Sequence, residues 1–312
     1  MSKKTVLATE GAGELESNAA AAAPVVEKRE SIWKDVIDGI VSNKAALVSA
    51  IFILLLVVIA VVTKLAPGVL PYDPYEQNLA HSAQGPSAEH WFGTDLQGRD
   101  IFSRVLVGTQ ITLVVGLAAV AISLSLGVVL GAIAGYKGGK WDTVIMRIMD
   151  MMLSIPSILL AIAIMAALGQ GIEKAVVAIG FVAIPEYARI VRSEILSIKE
   201  NDYVAAARVM GNSNFAIVFR HVLPNALPSI IVRATLGISS AILDCAALGF
   251  LGLGVQPPDA EWGDMLGRGR NELFRAPWLM IFPGLAITLT VLAFNLLGDG
   301  IRDGLDPKSR KR

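Results

Sequence analysis

Residues 105–136 read "VLVGTQITLVVGLAAVAISLSLGVVLGAIAGY", 32 positions in a row without Asp, Glu, Lys or Arg. A helix of that length measures about 48 Å, more than the roughly 30 Å hydrocarbon core of a bilayer. Charge-free runs recur at 45–63, 151–172 and 276–298, with 19, 22 and 23 residues. Only 17% of the 312 residues are charged and 54% are hydrophobic, where a soluble domain carries about 25% charge. These four runs are expected to cross a membrane.

Two further segments are ambiguous by length alone. A helix from Ile172 to Arg192 reaches across only with charges at both ends, and 225–254 carries Arg233 and Asp244 inside an otherwise apolar run. Charge asymmetry arbitrates. If all six segments cross and the N-terminus is cytoplasmic, 20 Lys and Arg residues lie inside and 7 outside. Dropping the fourth crossing puts the basic stretch 189–220 outside, against the positive-inside rule. The expected architecture is therefore all-α and polytopic, with six transmembrane helices and both termini cytoplasmic. Residues 1–30 read as a disordered tail, 31–44 as an amphipathic segment and 45–66 as the first span. Residues 67–104 form an extracytoplasmic loop, 105–308 the main helical core and 309–312 a basic tail. The first apolar run begins too late and runs too long for a cleavable signal.

Several function classes are disfavoured. The net charge is zero, so bulk charge supplies no attraction to nucleic acid. Cys245, the single cysteine, reads as a small apolar filler, and His81, His90 and His221 lack ligand spacing, so no metal site is expected. "GYKGGKW" (135–141) places Gly139-Lys140 beside Trp141 rather than Ser or Thr. It reads as a tight turn, not a phosphate cradle. No ATP or other cofactor is expected on this chain.

Gly116, Gly127, Gly131 and Gly135 let helix backbones approach closely. Pro156, Pro185 and Pro228 are expected near helix ends, and Pro283 inside the last helix. Between the fourth and fifth crossings lies "YVAAARVMGNSNFAIVFRHVLPNALP" (203–228). Asp202 is a suitable N-cap, Tyr203 to Met210 favour helix, and Gly211 suits a left-handed stop. A second short helix is expected from Asn214 to Phe219, ended by Pro224. Ala205, Ala206 and Ala207 present almost no side chain, so this helix can lie deep in a partner's groove. Asp244 has two readings: it faces a path for polar solute through the bundle, or it packs against a polar group of a neighbouring subunit. Eleven residues separate it from Arg233, about 16 Å along a helix; Arg233 is expected to snorkel at the cytoplasmic end.

The pattern Ala206-Ala207, three residues, Gly211, then Leu223-Pro224 resembles the EAA loop of bacterial ABC importer permeases, here spanning 193–224. Ala205 stands where that family usually has Glu, and His221 where Ile is frequent. A Glu at 205 would complete a capping box with Asp202. "FGTDLQGRDIFSRVLVGTQITL" (92–113), "ALGFLGLGVQPPDAEWGDML" (247–266) and "GDGIRDGLDPK" (298–308) resemble the C-type permease subunits of dipeptide, oligopeptide and nickel importers. The resemblance implies a sister permease, two ATPase subunits that bind ATP and Mg, and an extracytoplasmic solute-binding protein. It also implies coupling through 202–224 and a scaffold over the outer gate that includes Gly93, Asp95, Gly98, Arg99 and Asp100. Peptide is the favoured cargo, with nickel or another small solute the alternative. An ion-coupled carrier or a channel is the reading from a different class, and Asp244 and Arg233 are its only mid-membrane candidates.

Overall fold

The computed structural model describes residues 32–305. The expected N-terminal tail (1–30) and basic C-terminal tail (309–312) lie outside the described residues. Those described are helical, joined by turns and loops, with one isolated antiparallel bridge between Thr94 and Asp100.

Helix α1 (Ile32–Ser42) leads into α2 (Lys44–Leu65), whose first turn is capped by Asn43 accepting from the amides of Ala45 and Ala46. After loops and two short 3-10 turns comes α3 (Ile101–Lys137), capped by Asp100, whose carboxylate accepts the Ser103 amide hydrogen at 2.7 Å. Gly138 and Gly139 take positive φ at the turn into α4 (Gly139–Leu153). Next come α5 (Ser157–Leu168), α6 (Ile172–Ile198) and α7 (Asp202–Val209). The short α8 (Asn214–Ala216) runs through a π-helical segment, Ile217–Val222, into α9 (Leu223–Phe250). The chain ends in α10 (Trp262–Gly269) and α11 (Trp278–Leu305).

Among the described residues, four helical runs are long and apolar enough to cross a bilayer: α2, α3, residues Asn214–Phe250 and α11. The pair α4–α5 adds a fifth if it is one broken span. The crossing expected over 151–172 is broken at Pro156, a proline expected at a bend or helix start. The chain bends by 90° between α4 and α5, because Pro156 lacks an amide hydrogen and pushes Ile155 away from helical backbone. Helix α6 runs from Ile172 past the expected end at Arg192 to Ile198. Its charged end is supported by α4: Arg192 donates to Asp142 at 2.6 Å and Arg189 to Asp150 at 2.5 Å. Pro185 and Pro228, expected near helix ends, are interior to α6 and α9, as Pro283 is to α11.

The tightest seam joins α3 to α6. Gly127, Gly131 and Gly135 face the α6 backbone, and a methyl on Gly131 would sit 2.5 Å from the Ala188 carbonyl oxygen. Gly180 returns the favour toward Ala119 of α3. Backbones can meet like this only where side chains vanish. Above the seam, Val115, Ala119, Ile179, Ala241 and Leu248 form a buried apolar cluster shared by α3, α6 and α9. Helix α1 rests on α11 through Gly39 against Gly304, with Trp33, Ile37 and Val41 turned outward one turn apart.

Loop 66–100 closes the end of the bundle opposite α7. Gly93 and Gly98 adopt positive φ, and Gly98 packs against the Asn78 backbone. Arg99 donates to Asp95 at 2.7 Å, and the buried His90 ring lies 2.9 Å from Asp100. Arg104, fully buried, donates to the Pro74 carbonyl at 2.8 Å and more loosely to those of Pro258 and Asp259, tying the loop to the turn before α10.

Candidate functional site

Two places in the bundle carry chemistry or an unpartnered surface. The first is a cavity of about 220 Å3 between α3, α6 and α9. Its polar lining comes from Ser123, Glu186, Tyr187, Arg233, Ser240 and Asp244. Glu186 and Arg233 form an ion pair, and the guanidinium lies 5.6 Å from the centre of the Tyr187 ring, within cation–π range. Gly237 gives up its side chain to the Tyr187 hydroxyl, which occupies the place a Cβ would take. Asp244 makes no hydrogen bond or ion pair with any described residue.

Asp244 thus lies on a polar cavity, and it is not alone there. Arg233, expected to snorkel outward, turns inward to Glu186 instead. The sequence held the signal. Eleven residues complete three helical turns with about 20° to spare, so Arg233 and Asp244 share one face of α9. Glu186 and Tyr187 were not legible as partners, because only the crossing of α6 over α9 brings them there.

The second place is the segment 202–224. Val204 and Ala207 are buried beside Ile195 and Ile198 of α6 and beside Ile217, Val218 and Val222. Their opposite side is open: Val209 is 89% exposed, Met210 74% and Phe215 72%, and Phe219 stacks near Phe215 at 4.3 Å. Of the three alanines, Ala205 and Ala206 are exposed, whereas Ala207 faces the chain's own core. Gly211 is exposed at φ +84, with open space around its Cα. Two details differ from expectation. The helix begins one residue earlier than foreseen: Asn201 holds the cap position and Asp202 opens the first turn, where a carboxylate still favours the helix N-terminus. Pro224 does not end a helix. At the second position of α9 its missing amide hydrogen costs little, and the π turn just before it, with the Leu223 amide donating to the Val218 carbonyl, carries the helix on. His221 is half-buried in that π turn, and Leu223 packs on the Val204 cluster. Tyr203 is exposed at the start of α7.

The outer residues Gly93, Asp95, Gly98, Arg99 and Asp100 are brought together in the loop that closes the far end. Asp100 caps α3.

This arrangement of helices is that of ABC importer permeases. Over 66% of the chain it resembles a solved structure titled "Inward facing conformations of the MetNI methionine ABC transporter", covering 98% of that chain with a TM-score of 0.56 at 22% identity, a likeness of fold. Residues 127–311 match the family "Binding-protein-dependent transport system inner membrane component", and residues 31–86 match the "N-terminal TM domain of oligopeptide transport permease C". The chain belongs to the binding-protein-dependent transport permeases and is an inner-membrane component of such a system, a multi-pass subunit that works with ATPase and solute-binding partners. A dipeptide transport system permease protein of Alkalihalophilus pseudofirmus is 49% identical, with 90% of this chain and 91% of the relative aligned. A glutathione transport system permease protein of Pectobacterium atrosepticum is 45% identical over 88% and 91%. A di/tripeptide transport system permease protein of Pseudomonas aeruginosa is 48% identical over 85% and 89%.

Proposed function

We propose that the chain is one of two permease subunits of an ATP-driven importer of short peptides. It crosses the membrane six times: α2, α3, the bent pair α4–α5, α6, the run through α9, and α11. Both termini and α7 then lie in the cytoplasm, and loop 66–100 outside. A sister permease completes the translocation path, and two ATPase subunits supply the ATP chemistry that this chain does not perform. An extracytoplasmic binding protein delivers the cargo. Peptide is favoured over nickel by the names that the relatives carry.

One observation carries the coupling role. The segment 202–224 buries Val204 and Ala207 inward while holding Val209, Met210 and Phe215 out in the open. Large apolar side chains held out this far mark a contact surface. The segment is joined rigidly to α9 through the π turn, so a push on α7 becomes a push on a membrane helix. Rigid-body switching then needs only that an ATPase grips this surface differently in its two states. Asp202, Tyr203, Ala205, Ala206 and Gly211 lie on the gripped side. Loop residues Gly93, Asp95, Gly98, Arg99 and Asp100 act as a scaffold for the outer gate, and Asp244 lines the path.

The test is reconstitution of the chain with its sister permease, ATPases and binding protein. Gly211→Leu forces a side chain into left-handed backbone, at a cost of about 1–2 kcal/mol. That penalty leaves folding intact and tilts the turn. The expected result is an assembled complex in which peptide no longer stimulates ATP hydrolysis. Normal peptide-stimulated ATPase activity in that variant disproves the coupling role.

A further inference from the structure

The cavity between α3, α6 and α9 has an asymmetry that passage alone does not explain. Its positive group is already served: Arg233 is paired with Glu186 and backed by the Tyr187 ring. Its negative group is not: Asp244 lines the same space and has no partner among the described residues. Asp244 is half-buried, so its carboxylate has lost part of its water without gaining a partner among the described residues, and a cation that enters the cavity offsets that loss. At the other end, a carboxylate entering from outside replaces one carboxylate on Arg233 by another. The Glu186 side chain is 49% exposed, so water takes over its displaced carboxylate and the exchange selects without holding tightly. A transport site needs this combination, since it must both admit and release its load.

The dimensions fit a short chain. Asp244 and Arg233 are about 16 Å apart along α9, and the reach of both side chains shortens the gap to the length of about two to four extended residues. The cavity, 220 Å3, holds about seven waters at liquid density. Ser123 and Ser240 line it with hydroxyls suited to peptide amides and carbonyls.

We propose that this cavity is a binding site for short peptides in their zwitterionic form. Asp244 receives the terminal ammonium, and Glu186 is a resident stand-in for the terminal carboxylate, displaced from Arg233 when a peptide enters. The proposal rests on the peptide-importer reading and adds to it a place and an orientation.

The experiment uses the reconstituted complex with three probes: dialanine, its N-acetyl form and its C-terminal amide. The affinity of the isolated binding protein for each probe is measured separately, so that ATP-dependent uptake is compared at equal binding-protein occupancy. The wild type is expected to take up dialanine at least 10-fold faster than the N-acetyl form. Asp244→Asn, which keeps the side chain's shape, should bring that ratio close to one. Glu186→Gln should leave Arg233 waiting for the peptide's own carboxylate, raising the preference for acid over amide about 5-fold and lowering KM for dialanine. An unchanged ratio of free to acetylated uptake in Asp244→Asn, or an unchanged ratio of acid to amide in Glu186→Gln, overturns the proposal and leaves the importer reading standing. A wild-type complex that hydrolyses ATP but moves none of the three probes at full occupancy of the binding protein overturns both.

Discussion

Two carboxylates, each set in the bundle among apolar side chains, show opposite ways of living there. Glu261, 1% exposed, sits at the start of α10, and both its oxygens are taken: one accepts from the Gly263 amide and the other from the Asp264 amide, each at 2.8 Å. Around it the packing is closed. Trp262 donates to the Val105 carbonyl at 2.9 Å in a notch left by Gly108, and Gly249 leaves room for the Glu261 carboxylate. Asp244, 17 positions earlier on α9, has no such partners among the described residues and borders open space. A buried carboxylate with both oxygens bonded belongs to the scaffold; a half-buried one that faces a cavity without a partner is open to a visitor. The difference separates what holds this protein together from what it handles.

The comparison breaks most visibly at Arg104. Its guanidinium joins three carbonyls from two distant loops, beside Asp95 at 3.8 Å. Arg104→Ala strands those acceptors in a closed region, and removing one side of a buried charged network costs about 3–5 kcal/mol. The expected outcome is proteolytic nicking of loop 66–100 in the assembled complex, with a large drop in thermal stability. A variant that resists protease like the wild type would mean that the closed region is not held by its polar contacts.

The acid itself comes next. Burial, with a smaller push from the neighbouring Asp264 charge, raises the Glu261 pKa from the ordinary 4.5 to about 7, against the lowering effect of the two amides. The folded protein therefore holds this proton more tightly than the unfolded chain does. Its contribution to stability is complete below pH about 4.5 and is lost as pH rises through about 7. The difference amounts to about 3 kcal/mol over that window. Glu261→Gln keeps an acceptor for one of the two amides, turns its NH2 toward the other and has no proton to lose. Thermal melts from pH 5 to 7.5 should slope downward for the wild type and run flatter for the variant; parallel slopes would show that another group sets the pH dependence.

How much of this was readable beforehand follows from the same distinction. Span-length runs such as 45–63 and 105–136 were plain, because the bilayer demands a length and a lack of charge that no other environment does. The glycine stripe of α3 was visible as a stripe, and only its partner on α6 was not. The exposed turn at Gly211 was legible because left-handed backbone leaves few residue choices. Pro156 was legible as a bend or helix start, and the structure places it at the N-cap of α5; the 90° size of the turn was not, since composition fixes immersion and says nothing of direction. Pro224 misled for a related reason: at the start of a helix proline breaks no bond, and a π turn absorbed what the ring displaced. The Glu186–Arg233 pair was hidden because its members are 47 positions apart in the chain and meet through a helix crossing that no local pattern encodes.

The smallest expected effect on stability is the one that separates the two carboxylates most cleanly. Asp244→Leu removes a charge that no described residue compensates and adds apolar surface beside the Val115–Leu248 cluster. Replacing buried polar groups by hydrophobic ones of similar size is frequently neutral or stabilising. Residues kept for function often hold a protein below its best stability. The melting temperature of the complex should therefore stay level or rise, within about 1 kcal/mol, while peptide uptake collapses. Put the same change at Glu261, and two amides lose their acceptors in a region with no room to adjust, so both stability and uptake fall. If Asp244→Leu instead unfolds the complex, Asp244 is bound to a neighbouring subunit in the assembly. It then belongs with Glu261 among the groups that hold the structure together.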